Sequence, residues 1–88
     1  MNFLIVSEFT ECTYEEFEDR MQFEILEKYD IKNFTSEWIT VKVNDHKSVI
    51  IANVTDFDKF NEFIDNNDMQ QFNKDIGRTD TNYKLERS

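Results

Sequence analysis

An α+β domain with the element order β-α-β-β-α-β is what this 88-residue sequence predicts, on three observations. Two β-branched runs, Trp38 to Val43 and Ser48 to Val54, flank the polar segment Asn44-Asp45-His46-Lys47, which is a hairpin signal. One long amphipathic segment precedes that hairpin and another follows it. Short apolar stretches near both ends of the chain complete the order. The arrangement is the ferredoxin-like split unit: a four-stranded antiparallel sheet with two helices on one face. The single domain spans residues 1–88.

Taken in order, residues 2–10 make the first strand, with Phe3, Ile5 and Phe9 on one side and Leu4 and Val6 on the other. Apolar residues on both sides imply that both faces are covered. Thr13-Tyr14-Glu15-Glu16 fits a capping box and starts a helix expected to run to about Tyr29. Tyr14, Phe17, Met21 and Ile25 recur on one helical stripe, extended by Leu26 and Tyr29. Ile31-Lys32-Asn33 is the connector, with Asn33 able to take a left-handed conformation.

In the hairpin, a two- or four-residue loop pairs Val41 with Ile50 and Ile39 with Ala52. That register puts Ile39, Val41, Val43, Ile50, Ala52 and Val54 against the helices. It turns Trp38, Val49 and Ile51 to the other face. Thr55 or Asp56 caps the second helix, whose stripe is Phe57, Phe60, Phe63 and Ile64. Asp65-Asn66-Asn67-Asp68 breaks the helix, because these side chains favour turns and caps. Met69, Phe72 and Ile76 resume the spacing, and Gly77 is the expected C-terminal cap. A last strand around Tyr83 and Leu85, within Thr79 to Glu86, closes the order.

Composition narrows the function classes. The net charge is −9, and residues 1–30 hold nine acids against two bases. Such a surface repels phosphate backbones and anionic lipid, so neither nucleic acid nor membrane is an expected partner. No run approaches the length of a membrane span. Met1-Asn2 lacks the basic start of a secretion signal, and Phe3-Leu4-Ile5-Val6 is too short for its apolar core. One cysteine, Cys12, allows no internal disulfide, and the expected location is cytoplasmic. Nine Phe favour a packed core over disorder. So short a chain buries little surface on its own, which makes a homodimer the expected source of further burial.

The β-branched hairpin Ile39–Val54, the helix start Asp56-Phe57-Asp58-Lys59-Phe60 and the broken helix ending at Met69-Gln70-Gln71-Phe72 resemble the dimeric α/β-barrel superfamily, which includes antibiotic-biosynthesis-monooxygenase-like proteins. The resemblance lies in element order, length and patterning over nearly the whole chain. It implies a homodimer of face-to-face sheets, with Trp38, Val49 and Ile51 at the interface. It also implies an apolar or amphipathic small molecule held between sheet and helices, against Tyr14, Phe17, Met21, Phe60, Ile64, Phe72 and Tyr83. The same residues also suit a filled core with no cavity. Haem-degrading members use a His on the second helix. The only His here, His46, lies in the hairpin loop, which argues against that chemistry.

Two other function classes remain. One is a cofactor-independent monooxygenase-like enzyme acting on an aromatic substrate, with Tyr83, His46 or Trp38 directed into the cavity. The other is a non-enzymatic interaction protein docking a basic partner on Glu15, Glu18 and Asp19. No residue pattern implies a metal or a cofactor. Cys12 before a helix and Asp65 to Asp68 as an oxygen cluster read as a plain thiol and an ordinary helix break.

Overall fold

Alternation decides the first strand, β1 (Phe3–Phe9): Phe3, Ile5, Ser7 and Phe9 are buried, while Leu4 and Val6 are half-buried and Glu8 is exposed. The computed structural model describes residues 1–85. Helix α1 (Tyr14–Arg20) opens on the expected capping box, with Thr13 accepting from the Glu16 amide and Glu16 accepting from the Thr13 amide. Past Arg20 the coil widens into a π-helical segment, Met21–Leu26, which still turns Met21 and Ile25 into the core. A 3-10 turn at Ile31–Asn33 follows, capped by the Asp30 side chain on the Lys32 amide. Asn33 is not left-handed: among the described residues Gly77 alone has a positive φ.

Strands β2 (Thr35–Asn44) and β3 (Lys47–Val54) form the hairpin, and Asp56 caps α2 (Phe57–Asp65). Asn66 performs the expected helix break. Its amide donates to the Phe63 carbonyl at 2.6 Å, and its side-chain oxygen accepts from the Met69 amide at 2.8 Å, which starts α3 (Asn67–Ile76). Gly77 ends α3 at φ 64°, where a Cβ would collide with Thr10 Oγ1. Strand β4 (Arg78–Lys84) completes the fold; Leu85, expected within it, lies just past its end, and Glu86 lies outside the described residues.

All pairings are antiparallel and the sheet order is β2-β3-β1-β4, the ferredoxin-like order of an α+β fold. The helices cover one face. Phe9 stacks on Phe17 at 4.7 Å between ring centres, and Phe3 meets Phe60 edge-on at 4.8 Å.

The hairpin departs from expectation by one residue. Its turn is the shorter of the two loops the sequence allows, Asp45-His46, with Asn44 opposite Lys47. A β-bulge between Lys42 and Asn44 then takes up one residue, so Val41 pairs with Val49 and Ile39 with Ile51. Because side chains alternate with period two, that slip exchanges the faces of β2. Trp38, Thr40 and Lys42 turn toward the helices, while Ile39 and Val41 turn to the open face. On β3 the expected sides hold: Ile50, Ala52 and Val54 are buried.

The bulge therefore carries the one residue the pairing does not need. Deleting Val43 should leave a regular two-residue hairpin with Trp38 still on the helix side, and cost less than about 1 kcal/mol. Urea unfolding followed by tryptophan fluorescence checks this; an emission shift to that of free tryptophan in the native baseline contradicts the assignment.

Candidate functional site

The residues expected to hold a ligand pack largely against one another. Tyr14, Phe17, Met21, Phe60 and Phe72 are buried against one another, and Ile64 packs at their margin. An enclosed space of about 10 Å³, the room of a single water, lies among Ile5, Met21, Trp38, Phe63 and Asp80. A more open one of about 210 Å³ lies between the first helical segment and β2, beside Phe17, Met21, Leu26, Trp38 and Thr40, and is smaller than the usual ligand pocket. Tyr83 is not among these residues at all. It pairs opposite Leu4 on the uncovered face and is 50% exposed.

What the core holds instead is a charged lane. On β4, Arg78, Asp80 and Asn82 alternate onto the helix side, opposite Phe9, Ser7 and Ile5. The Arg78 side chain is 3% exposed and its Nε lies 2.7 Å from Asp80 Oδ1. Ser7 donates to the same oxygen at 2.7 Å and accepts from Arg78 Nη2 at 3.0 Å. Asn73 of α3 accepts from Arg78 Nη1 at 3.0 Å, and the guanidinium sits 5.1 Å from the Phe17 ring centre. Burial pulls the Arg78 pKa below its ordinary value, opposed by Asp80. Ser7 is fully buried and its hydrogen is committed to Asp80, so this is structural chemistry and no nucleophile. Composition concealed the lane; the polar-apolar alternation of Arg78, Asp80 and Asn82 against Thr79, Thr81 and Tyr83 was its only trace.

The remaining candidates fall in separate places. Trp38 packs edge-on to Phe63 at 6.4 Å on the helix side, which corrects its assignment to the sheet-to-sheet interface. Its Nε1 is buried without a protein partner, as is Ser48 Oγ. His46 stands in the turn with Nδ1 at 2.9 Å from the Cys12 carbonyl, pinning the hairpin to the loop before α1. Burial pushes the Cys12 thiol up, and Glu16 adds to the shift, so it stays a neutral thiol. Glu15 is tied to Lys42 at 2.6 Å, which neutralises part of the acidic face of α1. Asp68 accepts from Lys28 and, at 2.7 Å, from the Tyr29 hydroxyl, so the oxygen cluster serves helix docking. No group of three or more His, Cys, Asp or Glu with metal-holding geometry occurs among the described residues. Tyr83, His46 and Trp38 do not converge on a common volume.

The open sheet face is different, because there the structure gathers residues. Pairing places Ile39, Ile51, Leu4 and Tyr83 in one row across all four strands, and Val41, Val49, Val6 and Thr81 in the next. Polar residues bound these rows on both sides: Glu37 and Asn53 at one end, Asn44, Lys47, Glu8 and Thr79 at the other. Val49 and Ile51 lie here as expected. Ile39 and Val41, 48% and 44% exposed, take the place expected of Trp38.

A surface cleft of about 380 Å³ lies between the 3-10 turn and α2, with Tyr29, Phe34 and Phe63 at its base and Asp30, Asn33, Lys59, Glu62 and Asn66 around it. No protein-family model matches the chain, and no curated protein sequence matches it.

The charged lane makes a sharp prediction. Asp80→Ala should cost about 3 kcal/mol, the lower end for breaking a buried pair, because Asp80 keeps some solvent. The double change Arg78→Met with Asp80→Leu should recover most of that loss. Denaturant midpoints of the three proteins test it, and equal losses in both variants would count against it.

Proposed function

We propose that this protein is a non-enzymatic association domain that works as a homodimer, closed by its two open sheet faces. The observation that carries the reading is the pair of apolar rows across all four strands. A sheet with one wet face presents polar residues there. This one presents Ile, Leu, Val and Tyr, which is the composition of an interior surface.

Charge supports a second copy as the occupant. The chain carries −9, yet Glu8, Glu37 and Lys47 are the charged residues in the open-face rows. The remaining acids stand clear of these rows, so two such faces meet without stacking the net charge. Size supports it too. A face of four strands by seven residues measures roughly 19 by 23 Å, from the usual strand spacing and rise. Two such faces cover about 870 Å² in flat projection, and side-chain relief raises the accessible area buried above that, toward the ~1,200 Å² lower end for a stable interface. The resemblance to dimeric α/β barrels points the same way and belongs to this proposal.

Sedimentation equilibrium tests it. The wild type should sediment as a dimer, and Val49→Lys should weaken the dimer at least tenfold with an unchanged circular dichroism spectrum. A monomeric wild type at about 100 μM, a concentration at which even modest affinities show, would overturn the proposal.

A second reading rests on the cleft over Tyr29, Phe34 and Phe63. Its volume of about 380 Å³ falls in the range of small-molecule sites, and an aromatic base rimmed by Lys59, Asp30 and Glu62 suits an amphipathic ligand. An anilinonaphthalene sulfonate dye should gain fluorescence with the protein, and Lys59→Glu should abolish the gain. Undiminished fluorescence in that variant would place the dye elsewhere.

A further inference from the structure

The charges on the open face also orient the pair. Lys47 of β3 and Glu8 of β1 are neighbours across the sheet, 3.7 Å apart, beside the Val49–Val6 row. Stacked sheets keep their strands within about 30° of one another in the aligned class of packing. A two-fold axis between the sheets then runs either along the strands or across them.

With the axis across the strands, each strand lies over its own copy and the row order reverses. The Lys47–Glu8 row then meets the row of the partner's Asn53 and the partner's Glu37: Lys47 lies directly over the partner's Asn53, with the partner's Glu37 one strand away, and Glu8 gains no opposite neighbour. With the axis along the strands, the row order is kept and the strand order β2-β3-β1-β4 reverses. β3 then lies over the partner's β1. Lys47 meets the partner's Glu8, and Glu8 meets the partner's Lys47. The four charges alternate, so each has an opposite neighbour within its own sheet and another across the interface. The apolar rows match as well: Val49 over the partner's Val6, Ile51 over the partner's Leu4, Ile39 over the partner's Tyr83. Large rows meet large rows in this arrangement, and Ile and Val differ by only one methylene. Charge placement is what sets register at an interface where apolar contacts alone are permissive.

We infer that the homodimer's two-fold axis runs along the strands between β1 and β3, with Lys47 of each chain set against the partner's Glu8. This rests on the association reading above. It makes the Glu8–Lys47 pair the element that selects one dimer from the two that the apolar rows allow.

Two experiments separate this inference from the reading beneath it. In the first, Lys47→Glu and Glu8→Lys chains are prepared separately. Each self-pairing sets like charges face to face, so each should dimerise at least tenfold more weakly than the wild type. Mixed, they should form a heterodimer of wild-type strength, seen by native mass spectrometry. In the second, on a Cys12→Ala background, a ¹⁵N-labelled Val6→Cys chain is mixed with an unlabelled Val49→Cys chain under mild oxidation. The mixed disulfide should dominate, while Leu4→Cys mixed with Val6→Cys should give little. Efficient Leu4–Val6 cross-linking places the axis across the strands and overturns the inference. So does a dimer in which no pair cross-links, or in which mixing the charge variants gives no preference. A parent protein that sediments as a monomer overturns both the inference and the association reading.

Discussion

One surplus residue at the turn end of β2 determines how the rest of the sheet is used. The bulge at Val43 lets the tight Asp45-His46 turn coexist with a register in which Trp38 stands over Ala52 and Phe63. Without a slip at that point, Trp38 would face outward, and Ile39 and Val41 would compete with Ile50 and Ala52 for the core. Ala52 is fully buried and small, which leaves room for the indole of the neighbouring strand. The bulge thereby sets both what the core contains and what the open face presents.

The core that results is crowded. Phe9, Phe17 and Phe60 are wholly enclosed, and their ring contacts tie β1 to α1 and α2. Into this apolar volume the chain admits one full charge, Arg78, and surrounds it with Asp80, Ser7, Asn73 and the face of Phe17. A buried cation contributes little net stability even when well paired, but it is intolerant of misplacement. Its role is to hold β4, otherwise a polar edge strand with few buried residues, in one register on β1.

Much of the fold was legible because its signals are local. The capping box at Thr13, the Asn66 break and the Gly77 stop each depend on residues within a turn of one another, and each stands where the sequence places it. The faces of β1 and β3 followed from alternation. The face of β2 did not, because a bulge adds one residue without a marker of its own; Val43 is as good a strand residue as Val41. Reading the helix–sheet Phe residues as a ligand site needed a volume, and volume is a sum over packing that no stripe reveals. The π-helical segment was equally hidden, since Met21 and Ile25 satisfy an ordinary helical spacing. The open face was anticipated through Val49 and Ile51, but its full extent needed the pairing of all four strands.

The two bulges of β2 have a consequence beyond register. The strand order leaves the outer edges of β2 and β4 unpaired, and an unpaired edge is a template for further strands. β2 is the longer of the two, ten residues rich in β-branched side chains, and so the greater hazard. Its pairing is irregular at both ends, between Thr35 and Glu37 and between Lys42 and Asn44. Such irregularities twist an edge away from the flat ladder that an incoming strand requires. β4 offers little better, being Arg78-Thr79-Asp80-Thr81-Asn82 for most of its length. Both edges thus disfavour growth by strand addition, and the apolar rows are confined to the face of the sheet.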